Sequence, residues 1–319
     1  MTEPTTIAVV GLGFLGRGIA TCLLGHGLRV VGCSRSADSL ARARKQIAVG
    51  LDELVRHADF DGAILDQWQG LYCDTQSLAD CRDCDFVIES VAEDLQVKRT
   101  VYAELEQAID PQTPIASNTS SIPVSLLQQS LTHPERLLGM HWAEPAHATR
   151  FLEVVRGELT DQRSVDRTLE LARQCGKDPC VLQRDIPGFI VNRLSYAMFR
   201  EAAYLVEQGV ADVETIDRSF RNACGLWATM CGPFQWIDLT GGPALYAKAM
   251  AEVLPTLSNG TEVPQLFVDL AESGAEGIAN GQGFYHWTDS EAKQAEALFR
   301  RHAWNVHQLM NEYFSATTT

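Results

Sequence analysis

The chain has 319 residues, long enough for two domains, and a formal net charge of -15, which argues against nucleic acid, anionic membranes or polyanions as partners. Its nine cysteines are scattered and odd in number, so reduced thiols are expected rather than a disulfide framework. No basic-plus-apolar leader precedes the first apolar run, and no uncharged stretch reaches the ~18 residues of a membrane span, so a cytoplasmic protein is expected.

Thr6-Ile7-Ala8-Val9-Val10 reads as a short buried strand, and Gly11-Leu12-Gly13-Phe14-Leu15-Gly16 follows at once. A helical stretch through Ile19, Ala20, Cys22 and Leu23 comes next. Strand, glycine turn and helix in that order are the context a dinucleotide fingerprint requires. Gly11 permits the turn, Gly13 lets the backbone approach a pyrophosphate, and Gly16 lets the helix pack on the strand. Phe14 and Leu15 open that helix, whose free N–H groups and positive dipole end suit the phosphates. Leu28-Arg29-Val30-Val31-Gly32-Cys33 is the second strand, and Ser34 stands where an Asp or Glu would bond the ribose hydroxyls. Ser34, Arg35 and Ser36 offer hydroxyls and a guanidinium instead, a set that suits a 2′-phosphate. The cofactor expected is NAD or NADP, with the lean towards NADP.

Apolar strands go on alternating with helical stretches: Phe86 to Ser90, a helix from about Val97 to Ile109, then Pro114 to Ser117. The fold class expected is α/β, an N-terminal Rossmann-type doubly wound parallel sheet followed by an all-α C-terminal domain. Cys81 and Cys84 form a CxxC, but no second CxxC or His pair accompanies it, so no metal site is expected. Ile186-Pro187-Gly188-Phe189 marks the boundary. Residues 1–185 are read as the dinucleotide-binding domain and residues 186–319 as a helical domain. In the latter, Ile190, Val191, Leu194 and Met198 recur at helical spacing, and Pro233, Gly241, Gly242 and Pro243 separate the helices.

His141 closes one short apolar segment, and Glu153 lies inside the next, between Leu152 and Val154. A carboxylate in that setting is desolvated unless a cationic or hydrogen-bonding group meets it. An imidazole is the obvious partner, and a carboxylate would fix its tautomer and orient its ring. That is the wiring of a general acid/base, suited to take an alcohol proton while hydride leaves the carbon.

With these residues in view, the chain resembles the L-3-hydroxyacyl-CoA dehydrogenase family along nearly its whole length. The resemblance is carried by Gly11 to Gly18, Val87 to Leu95, Ala116 to Ser121, the two segments holding His141 and Glu153, and Asp185 to Arg193. Gly232-Pro233-Phe234 with Asp238, and Gly283-Phe284-Tyr285, extend it into the helical half. It implies reversible oxidation of a 3-hydroxyacyl-CoA to the 3-ketoacyl-CoA, and a homodimer formed through the helical domain. It also implies His141 as the base, Glu153 as its orienting partner, and Ser120 and Asn192 as the hydroxyl and amide that complete the site. Glu93, Lys98 and Asn118 match positions beside the nicotinamide and its ribose.

Three departures bear on the substrate. Glu144 stands where the family has Asn, beside His141 in sequence, and Trp142-Ala143 replaces the usual Phe-Phe. The helical segment after the second strand, lysine-rich in CoA-using members, here carries Asp52, Glu53, Asp59, Asp61 and Asp66 against Arg56. A CoA tail would meet like charge there, although Arg42, Arg44 and Lys45 lie upstream. Two further readings therefore stay open: the same chemistry on a free 3-hydroxy acid or carnitine-like compound, and a non-catalytic nucleotide-binding or structural protein on this fold. The separate 3-hydroxyacid dehydrogenase family, which relies on a catalytic lysine, is disfavoured because Asn192-Arg193-Leu194 offers none.

Overall fold

The computed structural model describes residues 5–314. The chain divides into two compact units after Asn192. In the first, β1 (Thr6–Val10), β2 (Arg29–Cys33), β3 (Tyr72–Thr75), β4 (Phe86–Glu89), β5 (Ile115–Ser117), β6 (Leu137–Trp142), β7 (Phe151–Val155) and β8 (Asp178–Leu182) form one sheet. Its strand order is β3-β2-β1-β4-β5-β6-β7-β8. Helices α1 (Phe14–Gly25), α2 (Ala37–His57), α3 (Ile64–Leu71), α4 (Leu95–Ala108), α5 (Val124–Gln128) and α6 (Gln162–Gln174) join the strands.

The strands are apolar because the sheet is covered on both faces. Ile7, Ala8, Val9, Val87, Ile88, Leu137 and Leu138 are all fully buried. Burying a side chain of Val, Leu or Ile size stabilises by about 1.5–3 kcal/mol, so these strands anchor everything attached to their ends. Helix starts are set by local chemistry: Asp94 caps α4 by accepting the Val97 N–H at 2.8 Å, and Asp161 caps α6 through Ser164 at 2.7 Å.

The sheet departs from an all-parallel one at a single place. β1 through β6 pair in parallel, whereas β7 runs antiparallel to β6 and parallel to β8. The reason is length. Only residues 143–150 connect β6 to β7, and a parallel crossover needs a dozen or more.

Residues 186–192 stay with the first unit. Phe189 is fully buried, and the N–H groups of Ile190 and Val191 donate to Glu153. Helix α7 (Val191–Glu207) starts here, and α8 (Val213–Trp227), α9 (Pro233–Leu239), α10 (Gly242–Val253), α11 (Gln265–Glu272) and α12 (Asp289–Tyr313) make up the second unit. A capping box of Thr288 and Glu291 begins α12. Among the described residues of this unit, Ala203, Cys231 and Trp304 are the buried hydrophobics, while Leu226, Phe234 and Val263 are 77%, 83% and 68% exposed. The apolar stripe of α7 follows suit, with Leu194 exposed. No helix among the described residues is long and apolar enough to cross a membrane.

Candidate active site

The glycine turn sits at the carboxyl end of β1. Gly11 has φ +96, and a Cβ there would drive into the Ser90 carbonyl oxygen. A Cβ on Gly16 would strike the Gly11 carbonyl oxygen, so turn and helix close on each other as glycine alone allows. Gly13 differs: nothing lies within 4 Å of where its Cβ would be. It is also the N-cap of α1, with no side-chain cap on the helix's free N–H groups. Open backbone beside unsatisfied donors fits a pyrophosphate. Phe14 is exposed at the helix start, and Leu15 is half-buried.

At the end of β2, Ser34 donates its backbone N–H to Thr75 O at 3.0 Å, which ties the loop to β3. Ser36 caps α2 by accepting the Ser39 N–H at 3.2 Å, and Arg42 reaches the Ser39 hydroxyl at 3.1 Å. Arg35 is exposed. Arg44 is committed elsewhere, 2.9 Å from Asp74 and stacked over the Tyr72 ring. Ser34, Arg35 and Ser36 thus stand between the end of β2 and the start of α2.

The antiparallel step at β6–β7 sets His141 and Glu153 as direct cross-strand partners. Their side chains meet on one face of the sheet, Nδ1 to Oε2 at 2.8 Å, with His141 7% exposed and Glu153 2%. The other carboxylate oxygen, Oε1, accepts the N–H groups of Ile190 at 3.1 Å and Val191 at 3.0 Å, at the start of α7. An anion belongs at that helix end. Because a carboxylate only accepts, the hydrogen of a neutral ring sits on Nδ1, which leaves the lone pair on Nε2. The rings of Phe151 and Phe189 stand edge-on to the imidazole, with centroids at 5.7 and 5.5 Å. Phe189 holds φ 51, a left-handed conformation rare for a bulky residue. Neither phenylalanine was readable as a site residue. The only signal is Gly188 before Phe189, which marks a turn but not the ring packed on the histidine.

The remaining site residues gather at the ends of β4 and β5. Glu93 Oε1 accepts the Thr119 hydroxyl at 2.6 Å, the Ser120 N–H at 3.0 Å, and the Ser121 N–H and hydroxyl at 2.9 Å each. Burial alone would raise its carboxyl, but the Thr119 hydroxyl, Lys98 and the Ser121 donors hold it down at about 2. Lys98 is fully buried, with its ammonium 2.8 Å from Glu89 and 3.3 Å from Glu93. Asn192 donates its amide to the Ser120 carbonyl at 3.1 Å. Asn118 accepts the Trp142 N–H at 2.9 Å and donates to the Ser90 hydroxyl at 3.1 Å, so its side chain laces the strand ends together.

The three departures also take a definite place. Trp142 projects to the face opposite His141, as the strand's period of two requires, and Lys177 lies 5.0 Å over its ring. Glu144 is half-buried and faces α1, with Oε2 3.8 Å from the point a Gly18 Cβ would occupy. Along α2, Asp52 pairs with Arg56 at 2.9 Å, and Glu53 lies 3.1 Å from His147. Asp61 accepts the Ala63 N–H ahead of α3. Among the described residues no cluster of His, Cys, Asp and Glu is arranged to hold a metal ion.

Known proteins are similar to this chain in sequence and fold. Residues 6–186 match the family model for the 3-hydroxyacyl-CoA dehydrogenase NAD binding domain, and residues 188–287 match that for the C-terminal domain. A 5-formyl-3-hydroxy-2-methylpyridine 4-carboxylate 5-dehydrogenase from Mesorhizobium japonicum is 34% identical over 292 residues, covering 91% of this chain and 93% of that protein. A crystal structure of an enzyme of that name, an NAD+ dependent dismutase, superposes with TM-score 0.90 at 32% identity, over 97% of this chain and 99% of that one. An (S)-3-hydroxybutyryl-CoA dehydrogenase from Ralstonia eutropha superposes with TM-score 0.75 at 27% identity, over 90% and 100%. Both domain models in order, on a chain with the glycine turn and the strand-end cluster just described, leave one assignment: this protein belongs to the 3-hydroxyacyl-CoA dehydrogenase family.

Proposed function

We propose that this protein is an NAD(P)-dependent dehydrogenase that interconverts an alcohol and its carbonyl compound with His141 and Glu153 as the acid/base pair. The observation that carries the reading is the contact across β6 and β7, with Glu153 held from behind by the start of α7. A nicotinamide cofactor held at the glycine turn would supply the hydride chemistry. His141 Nε2 takes the alcohol proton, and Glu153 stabilises the imidazolium that results. In the other direction the same nitrogen returns the proton to the carbonyl oxygen. The Ser120 hydroxyl bonds that oxygen, and Asn192 holds Ser120 by its carbonyl. A positioned base of this kind contributes about 10²–10⁴ in rate.

For the substrate, a small free acid is favoured over a CoA thioester. Two observations support this. Within residues 52–66 the one arginine, Arg56, is already paired with Asp52, leaving the carboxylates of Asp59 and Asp66 for a CoA phosphate to meet, with Arg42, Arg44 and Lys45 earlier on α2. The pyridine carboxylate dehydrogenase also matches this chain over nearly its full length. A 3-hydroxyacyl-CoA substrate is the second reading, favoured by the family models. The test compares nicotinamide absorbance for acetoacetyl-CoA, free acetoacetate and an aromatic formyl carboxylate, each with NADH and NADPH. Turnover of the free acids and not of the thioester is expected. The reverse ranking returns CoA to the site, and no turnover with any of them favours a non-catalytic nucleotide-binding role.

The NADP lean rests on Ser34, Arg35 and Ser36 around the first turn of α2. A second copy of the chain is the expected partner of the helical unit. Apolar side chains as exposed as Leu226 and Phe234 are more than a monomer's scattered surface hydrophobics. Light scattering on the purified chain should give twice the 35.1 kDa mass.

A further inference from the structure

Glu89 is fully buried on β4, in line with the equally buried Val87 and Ile88. Four donors converge on it. Lys98 at 2.8 Å and the Val91 N–H at 2.8 Å meet Oε1, and the hydroxyls of Tyr102 at 2.6 Å and Ser117 at 2.7 Å meet Oε2. Burial and the adjacent Glu89 charge push the Tyr102 phenol well above its ordinary range, so it stays a donor. Replacing a buried ion pair with apolar side chains of like volume is often neutral or stabilising, so stability alone does not account for the pair.

What the pair does is hold one ammonium at a fixed point. Lys98 is fully buried, and its second partner is Glu93 Oε2 at 3.3 Å. The other oxygen of Glu93 gathers the Thr119 hydroxyl and the N–H groups of Ser120 and Ser121. The contacts therefore run from the core of the sheet to the backbone of Ser120, whose carbonyl Asn192 also binds. Released from Glu89, the ammonium is free to turn wholly to Glu93. It would then compete with the backbone N–H groups for that carboxylate.

We propose that Glu89 is a positioning residue, which acts through Lys98 and Glu93 to set the 119–121 turn and with it the Ser120 hydroxyl. Only its catalytic consequence rests on the dehydrogenase reading; the ordering of the turn does not. The test is amide hydrogen exchange on the full chain carrying E89Q, followed by mass spectrometry. Measured below the lowered melting temperature that loss of a buried charge partner entails, the amides of Ser120 and Ser121 should exchange about tenfold faster or more, while peptides over the glycine turn keep their protection. Native protection at Ser120 and Ser121 in folded E89Q overturns the proposal. A uniform loss across the sheet also overturns it, because a merely structural role predicts that. Should E89Q fail to fold, K98M cuts the same link with a side chain of similar length, and unchanged protection there is equally fatal. With an active substrate, kcat of E89Q should fall about 10- to 100-fold. If no substrate turns over, the exchange result still decides, so failure of the dehydrogenase reading is distinguishable from failure of this one.

Discussion

Replacing Glu153 by glutamine changes one atom's role and little else, which makes E153Q the sharpest test of the acid/base pair. The carboxylate now has two jobs: Oε1 receives the Ile190 and Val191 N–H groups, and Oε2 receives His141 Nδ1. A glutamine has one acceptor and one donor for the same two positions. If its oxygen stays on the backbone pair, its NH2 faces Nδ1. Nδ1 must then accept, and the ring hydrogen moves to Nε2, where the base needs its lone pair. If the amide turns over, the NH2 faces two N–H donors, leaving each unsatisfied at about 1–3 kcal/mol. The first arrangement is the cheaper, so the variant holds its histidine in the wrong tautomer. The expected loss is the full general-base contribution, about 10²–10⁴ in kcat. Cofactor affinity, set at the glycine turn, should stay within a few-fold. Steady-state nicotinamide absorbance measures the first and fluorescence titration the second. The double variant H141A/E153Q should be no slower than H141A alone, since the residues act as a unit. Wild-type kcat in E153Q, or fully multiplicative losses in the double variant, refutes the reasoning.

Three other outcomes follow from the same geometry. G13A should fold with an unchanged melting temperature, because nothing lies within 4 Å of the new methyl, yet bind cofactor about 10- to 100-fold more weakly by titration. S34D should move the NADP:NAD ratio of kcat/KM towards NAD by about tenfold or more, since a carboxylate at the end of β2 repels a 2′-phosphate and accepts the ribose hydroxyls. Glu93 titrates at about 2 in the folded chain, below the ~4.3 of an unfolded glutamate. Its contribution is therefore complete above the unfolded value and lost as pH falls from ~4.3 towards 2. Exchange protection at Ser120 and Ser121, corrected for intrinsic rates, should hold at pH 5 and fade only through that window.

The parts legible in the sequence are those specified locally. Alternating apolar runs mark β1, β2, β4 and β5, because a strand covered on both faces must be apolar throughout. The glycine turn is legible because Gly11 and Gly16 have backbone reasons for lacking a Cβ. The pairing of His141 with Glu153 is legible from a carboxylate set between Leu152 and Val154. The same signal stands at Glu89, after Val87 and Ile88, but its nearest partners, Lys98 and Tyr102, lie on α4, where a lysine in a helical stretch reads as a solvated charge. The antiparallel step was within reach, since eight residues between segments are too few for a crossover. Phe189 was not, because a left-handed phenylalanine breaks the local rule and is kept only by what packs on it. The apolar spacing of α7 predicts a buried stripe, whereas Leu194 is exposed in the single chain.

A pattern in where these groups sit explains how one mechanism can serve different substrates. Gly13, Ser34, Glu93, Ser120 and His141 stand on or just beyond the carboxyl ends of β1, β2, β4, β5 and β6, the side of an open α/β sheet where ligands bind. Each is tied to a strand whose burial fixes it. β7 supplies Glu153 from the opposite direction, and its antiparallel register sets that residue directly across from His141 near the end of β6. The departures from the family pattern avoid these anchors. Trp142 projects to the other face, Glu144 turns towards α1, and the acidic residues lie on α2, in the loop after it and on α3. A change in α2 leaves the imidazole in place, because the hydrogen bonds that hold it run through β6, β7 and the start of α7. Under the proposed function, substrate identity is therefore free to diverge while the His141–Glu153 contact stays the same.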